Sequence, residues 1–410
     1  MGKLFRAWSV VSGLLLAVGI LPSQAAAAGY SIVKLVNGID RPDLPCCVHF
    51  YIFYTPVISG GKVAFLSRNG VVDGVWSGDI ATRTLTKLVG LETAAPGGVG
   101  NFTAFYGGTD TPLSIGGNTV TFFASDSGGH FGIYSVPVTG GPVRRVATTA
   151  TLAPDGQPFQ DLRRATTNGA FVTFYGRTSA HFTGIYRATT AGRQLSTVID
   201  NGTRLDARDA SGTLTGYYGG YYTPVYAKTA IHFFATGVGD PSNAPNAIMR
   251  GSGAGAIDEA DNLTRLQSLP AGHVRVLAFS AAALSNGFGF IADEPSAGYA
   301  GVFKGQGANF ALKFATTLDT APGTLRKFQT FTALSYDDSG AAFVATRSTA
   351  TGSDQSIYFS PGPGQAVQRV ASGAKYYFPT IGDRALNAGK IVFMDGTSYA
   401  DRVYVAVPIP

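Results

Sequence analysis

Two adjacent cysteines, Cys46 and Cys47, are the most unusual local chemistry in the chain. Cysteines of an exported protein ordinarily pair, yet neighbouring Cα atoms lie only ~3.8 Å apart, short of the ~4.4–6.8 Å usual for a bridge. A bond between them closes a strained ring; the alternatives are two buried thiols, or bonds to another chain. The Cys-X-X-Cys spacing that tunes thiol exchange is absent, so no redox role is expected. The remaining reactive side chains cluster by type. His49, Gln160, Asp161, Tyr217, Tyr218, His273, Arg275, Lys327, Lys375 and Tyr376 lie at or just before aromatic segments, and His130 and His181 lie in polar hairpin loops. Arg and Lys pair with carboxylates, and Tyr offers a flat apolar face to a sugar. Such a set suits an anionic ligand, for example a uronate-containing polysaccharide.

If the chain is an enzyme, a Tyr or His removes the proton beside the carboxylate while Arg or Lys holds the resulting charge. The residues for that role are His49, His273, Arg275 and Tyr217. No phosphate-binding Gly-Lys-Ser/Thr loop, HExxH, Gly-X-Ser-X-Gly or Cys/His zinc spacing occurs, and neither a metal nor a cofactor is expected. The acidic stretches 206–212, 257–262 and 336–340 lack the alternating oxygens of a calcium loop and read as solvated turns.

The elements that position these groups repeat. Phe65, Phe122, Phe174, Phe233, Phe290, Phe343 and Phe393 each end a short apolar run, and a bulky residue follows each in a second short strand. Those partners are Trp76, Tyr134, Tyr186, Met249, Phe303, Tyr358 and Tyr404. A period of this length, filled with short strands bounded by Gly, Asn, Asp and Pro, predicts a radial array of sheets. Each unit parses into four strands: an aromatic innermost one (101–107, 159–164, 217–222, 273–279, 328–334, 375–381), the Phe strand, the partner strand and a fourth. The fourth strands are 87–90, 144–148, 196–200, 264–268, 312–316 and 368–372. After residues 402–407 the tail lacks a fourth strand, and residues 31–36 supply a spare one at the head. The expectation is a seven-bladed, all-β propeller of four-stranded antiparallel blades, with the N-terminal strand completing the last blade. Four of the five histidines then fall on the face where chains enter the innermost strands.

Segments such as PVISGGKVAFLSRNGVVDGVW (56–76) and TPLSIGGNTVTFFASDSGGHFGIY (111–134) resemble the repeat of TolB-type and WD40-like bacterial propellers. The likeness is to a Pro, a Ser, a glycine turn, an apolar-Phe strand and a Gly-Ile-Tyr strand, without the Trp before the Ser or the Asp-Gly turn. It implies an exported bacterial propeller of unassigned function and carries no catalytic residue onto this chain.

Residues 1–28 have the layout of a cleavable secretory signal: Lys3 and Arg6, an apolar run from Ala7 to Leu21, then small residues. The rest, 29–410, reads as one domain without a membrane span, secreted or periplasmic. Losing Lys3 and Arg6 lowers the formal charge from +6 to +4, too little over this length for a nucleic-acid surface. A monomer is expected. The function expected first is non-catalytic binding of a glycan or protein partner at the entry face. A polysaccharide lyase or hydrolase acting on an anionic glycan is the alternative, and a structural or adhesive surface protein the third.

Overall fold

The computed structural model describes residues 29–37, 53–67, 73–108, 110–179, 182–203, 205–208, 214–238, 246–251, 256–261, 264–267, 274–281, 285, 287–294, 298–306, 310–350, 352–376, 379–395 and 402–410. These form strands and turns with no helix, arranged as seven separate sheets, the blades of a β-propeller. In the first six blades the four principal strands run antiparallel in sequence order from the axis outward, with Leu205–Arg208 added at the free edge of Leu214–Tyr226 in the fourth. The innermost strands are Phe53–Ser59, Phe102–Tyr106, Phe159–Thr167, Leu214–Tyr226, Arg275–Ala281 and Phe328–Asp337 in the first six blades. The seventh blade has Leu386–Asn387 innermost, then Lys390–Asp395 and Arg402–Pro408. Tyr30–Asn37 lies antiparallel to Arg402–Pro408, with Ser31 opposite Val407 and Val36 opposite Val403.

All seven repeated phenylalanines sit directly across from their sequence-predicted partners, from Phe65 opposite Trp76 to Phe393 opposite Tyr404. In the second blade, Phe122 stacks on Tyr134 with ring centroids 5.8 Å apart, and Phe102 of the innermost strand meets Tyr134 edge-on at 4.8 Å. The same trio recurs as Phe159, Phe174 and Tyr186, and as Phe328, Phe343 and Tyr358. These rings fill the space between neighbouring blades, where burial supplies most of the stability. Six apolar clusters together bridge every interface round the ring. One of them joins Ile357 of the sixth blade, Phe393 of the seventh and Phe65 of the first.

The glycine two positions before the partner residue has a steric cause. A Cβ on Gly74, Gly132, Gly184 or Gly301 lies 2.2–2.7 Å from a carbonyl oxygen of the fourth strand, at Val89, Ala147, Ile199 or Ala315. No side chain fits there.

Two sequence expectations are corrected. Residues 264–268 are not the fourth strand of the fourth blade: Ala256–Asp261 takes that place, pairing with Asn246–Gly251. Its acidic residues suggested a solvated turn, but Arg250 pairs with Glu259 across the strands at 2.5 Å. Arg265–Leu266 instead lies parallel to Phe310–Thr316 and covers the outer edge of the fifth blade. Likewise, Lys375 and Tyr376 stand in a turn closed by bonds to the Ser372 carbonyl, so the seventh innermost strand begins later than 375. The signal segment 1–28, Cys46, Cys47, His49, His181 and His273 lie outside the described residues.

Candidate functional site

The innermost strand of the seventh blade is interrupted. Among the described residues only Thr380, bridged to Met394, and Ala385–Asn387 bond to the next strand, and the residues between them leave the sheet. The excursion carries Asp383 and Arg384 into the channel. The Asp383 carbonyl accepts the hydroxyls of Ser280 in the fifth blade (2.8 Å) and Ser335 in the sixth (3.1 Å). Arg384 donates Nη1 to the Ala281 carbonyl at 2.8 Å and Nη2 to the Tyr226 carbonyl of the fourth blade. Its own carbonyl accepts the Ile58 N–H of the first blade at 2.9 Å. Two residues thus tie four other blades to the seventh. Burial lowers the Arg384 guanidinium to about 10, with Asp383 opposing, so it stays charged at neutral pH.

Two further interruptions aim side chains at this point. The third innermost strand bulges between Arg163 and Thr166, and the fourth between Tyr222 and Val225. Arg164 and Thr223, inside those bulges, take left-handed backbone angles of φ 52° and 47°. A non-glycine residue in that region costs on the order of 1–2 kcal/mol, and such strain concentrates at functional sites. The segment between Phe102–Tyr106 and Ser114–Gly116 brings Asp110 to meet Arg164: its carbonyl accepts the Arg164 N–H at 2.8 Å, and its carboxylate accepts Nε at 3.1 Å. The two terminal nitrogens of Arg164 keep no partner among the described residues.

Arg164, Thr223, Val276, Phe279 and Asp383 line a cavity of about 220 Å³. Burial pushes the Asp383 carboxyl upward, and the Arg164 and Arg384 charges pull it partly back. A carboxyl held towards its neutral form, facing a guanidinium with unspent donors, can exchange a proton beside a bound anion.

A larger cavity, about 500 Å³, is lined by Arg384, Leu386 and the turns that follow the innermost strands. Its polar lining is mostly committed to the fold. Asp337 accepts the N–H groups of Ser339 (2.8 Å) and Ala388 (2.7 Å), Asp338 accepts the Ser285 hydroxyl, and Asn168 bonds Lys228, Ala170 and Phe171. It offers less unspent chemistry than the smaller cavity.

The sequence-predicted residues disperse. Tyr218 and Tyr376 are buried, Tyr376 against Phe393 and Tyr404. Lys375 lies over the Tyr376 ring at 5.4 Å, and Lys327 is exposed in an entry loop. Tyr217 pairs with Asp206 and Val238 in the fourth blade. Arg275 forms a two-pronged pair with Asp293, at 3.0 and 2.6 Å. His130 bonds through Nδ1 to Asp126 at 3.1 Å within its own hairpin loop. Of these, Arg275 borders a cavity of about 480 Å³ between the fifth and sixth blades. Among the described residues no group of three or more His, Cys, Asp or Glu is placed to hold a metal ion.

Sequence reasoning missed Arg164 and Asp383, although both stood in or beside innermost segments. A charged Asp-Arg pair at 383–384, within an otherwise apolar inner stretch, was the available signal.

The architecture defines a seven-bladed β-propeller. No protein-family model matches the sequence, and no curated protein matches it either. Among solved structures, the chain is similar to the β-propeller domain of the Trilobed protease from Pyrococcus furiosus, with a TM-score of 0.55 and 8% identity, over 88% of this chain and 98% of that one. It is also similar to an oligogalacturonate lyase solved in complex with manganese, with a TM-score of 0.53 and 12% identity, over 94% of each chain. A putative TolB from Agrobacterium tumefaciens matches with a TM-score of 0.38 and 12% identity, over 88% of this chain and 91% of that one. The propeller fold that the sequence resemblance implied is the one observed. The non-catalytic reading expected first is corrected: the same ring occurs in a lyase over nearly its whole length, so the architecture gives no ground for a binding-only protein. No described helix is long and apolar enough to cross a membrane.

Proposed function

We propose that this protein is a polysaccharide lyase acting on an anionic, uronate-containing glycan, with its site in the channel cavity between Arg164 and Asp383. The supporting observation is the shared cavity itself, in which the free terminal nitrogens of Arg164 and the raised carboxyl of Asp383 face one space. Arg164 grips the uronate carboxylate, and a planar guanidinium suits that role better than a point charge. Asp383, ionised, takes the proton from the carbon α to that carboxylate. The released electron pair forms the new carbon–carbon double bond as the glycosidic bond to the neighbouring carbon breaks. The departing oxygen then receives the proton held by Asp383. Arg164 stabilises the negative charge that builds on the carboxylate before the bond breaks.

The cavity is smaller than the ~300 Å³ at which drug-sized ligand pockets begin, so it takes one sugar ring of a chain end. The proposal includes export across a membrane by the segment 1–28, which would bring the protein to extracellular or periplasmic polysaccharide. The fold of the oligogalacturonate lyase supplies the first probe. Purified protein is incubated with oligogalacturonates, and unsaturated product is followed by ultraviolet absorbance. Formation of that product by the wild type, and its loss in Asp383→Asn, supports the reading. New reducing ends without unsaturation point to hydrolysis, and no cleavage of any uronate polymer rejects it.

A further inference from the structure

We infer that the groove between the fifth and sixth blades continues the channel cavity and binds the second and later sugars of the substrate chain. This rests on the glycan reading above and extends it to a chain-length preference. Leu277 carries the argument, because it lines both the Arg164–Asp383 cavity and the neighbouring groove of about 480 Å³. The innermost strand Arg275–Ala281 shifts register between Val276 and Ala278, which turns Leu277 outward. Val276 and Phe279, on the same strand, are each only 5% exposed, whereas Leu277 is 49% exposed. A single exposed leucine is ordinary on a protein surface. One placed at the junction of two cavities gives a sugar ring an apolar face to rest on as the chain leaves the first for the second.

The groove beyond Leu277 carries one guanidinium, Arg275, beside the carboxylates of Asp293 and the buried Glu294, with uncharged polar groups along its rim. Tyr299, Gln329 and Thr330 border it, offering a phenol, an amide and a hydroxyl. Arg275 spends Nε and Nη2 on Asp293, which fixes the guanidinium and leaves Nη1 for an acceptor. The pair is close to neutral overall, so the groove holds a following uronate by a directed bond rather than by bulk charge. A chain end in the small cavity and its continuation in the groove together describe an enzyme that works inward from an end.

The test measures binding separately from turnover. Calorimetry compares di- and tetragalacturonate on the wild type and on Arg275→Ala, an exposed substitution at a surface ion pair whose loss costs the fold little. The expected result is that the wild type binds the tetramer about tenfold more tightly than the dimer, a step of ~1.4 kcal/mol. Arg275→Ala and, independently, Gln329→Ala remove most of that difference, with a smaller loss on the dimer, only whose second ring reaches the groove. Equal affinity for dimer and tetramer overturns the inference, as does an equal loss on both ligands, or no binding of either. Chain-length-dependent binding without unsaturated product would sink the lyase reading and leave the groove standing.

Discussion

Arg384 and Ala281, 103 residues apart in sequence, meet across the axis through a 2.8 Å bond from the guanidinium Nη1 to the carbonyl oxygen. The second terminal nitrogen reaches Tyr226, so one side chain from the seventh blade caps the ends of two innermost strands. Arg384→Met leaves both carbonyls in the channel without their charged donor. Hydrogen bonds to charged groups contribute ~1.5–3 kcal/mol each, and a loss of about 3 kcal/mol in unfolding free energy is expected, read from urea titrations.

Arg164 offers a separation of function from stability. Its left-handed backbone costs on the order of 1–2 kcal/mol, and its bond to the half-exposed Asp110 returns little. Arg164→Gly relieves the backbone and removes the anion grip. Stability should stay within ~1 kcal/mol of the wild type, while uronide binding falls by at least about tenfold.

The Asp383 carboxyl is raised in the folded protein by burial, so over some pH window the folded chain keeps a proton that the unfolded chain has lost. Its cost to the fold is therefore absent below the unfolded value near ~3.9. The cost grows as pH rises towards the folded value and is constant above it. Asp383→Asn should unfold at a higher temperature than the wild type at neutral pH, with the advantage shrinking in acid. Turnover should vanish in the same variant. A melting curve that gains nothing at neutral pH contradicts the assignment.

Asp126 behaves in the opposite sense. Burial alone would raise it, but the His130 and Val99 N–H groups and the His130 ring hold it below the usual carboxylate range. Its contribution is present above the unfolded value and is lost as pH falls through the folded one. Asp126→Asn should therefore narrow the stability gap between neutral and acidic solution, measured as thermal midpoints across a pH series.

Gly132→Ala tests the packing rule of the repeat. A Cβ there lies 2.7 Å from the Ala147 carbonyl and 2.5 Å from the Thr148 methyl. Overpacking of this kind costs ~1–3 kcal/mol. The same change at Gly129, where a Cβ meets nothing within 4 Å but φ is +78°, is a control for backbone strain alone.

These cases show why the sequence revealed the blades but not the site. Phe122 and Tyr134, or Phe343 and Tyr358, were legible as pairs because a hairpin fixes register and both residues face a dry interface. Residues 257–262 misled because an acidic side chain can be taken up within a sheet, as Glu259 is by the Arg250 guanidinium of the neighbouring strand. Arg164 was hidden for a different reason: a one-residue bulge reverses which side chains face the channel, and no local pattern announces it. Asp383 lies where its strand leaves the sheet altogether, held by Ser280 and Ser335 from other blades. Long-range tethers of that kind leave no trace in spacing.

The ladder between Tyr30–Asn37 and Arg402–Pro408 also sets the molecule's response to force. Tyr30 and Pro408 face each other at one end of that ladder. Tension applied to those two strands through the chain's outer ends therefore loads the outermost rung first and peels the rungs one after another. The ring's seam is mechanically a zip fastener, and pulling experiments should find it opening at low force before any other blade yields.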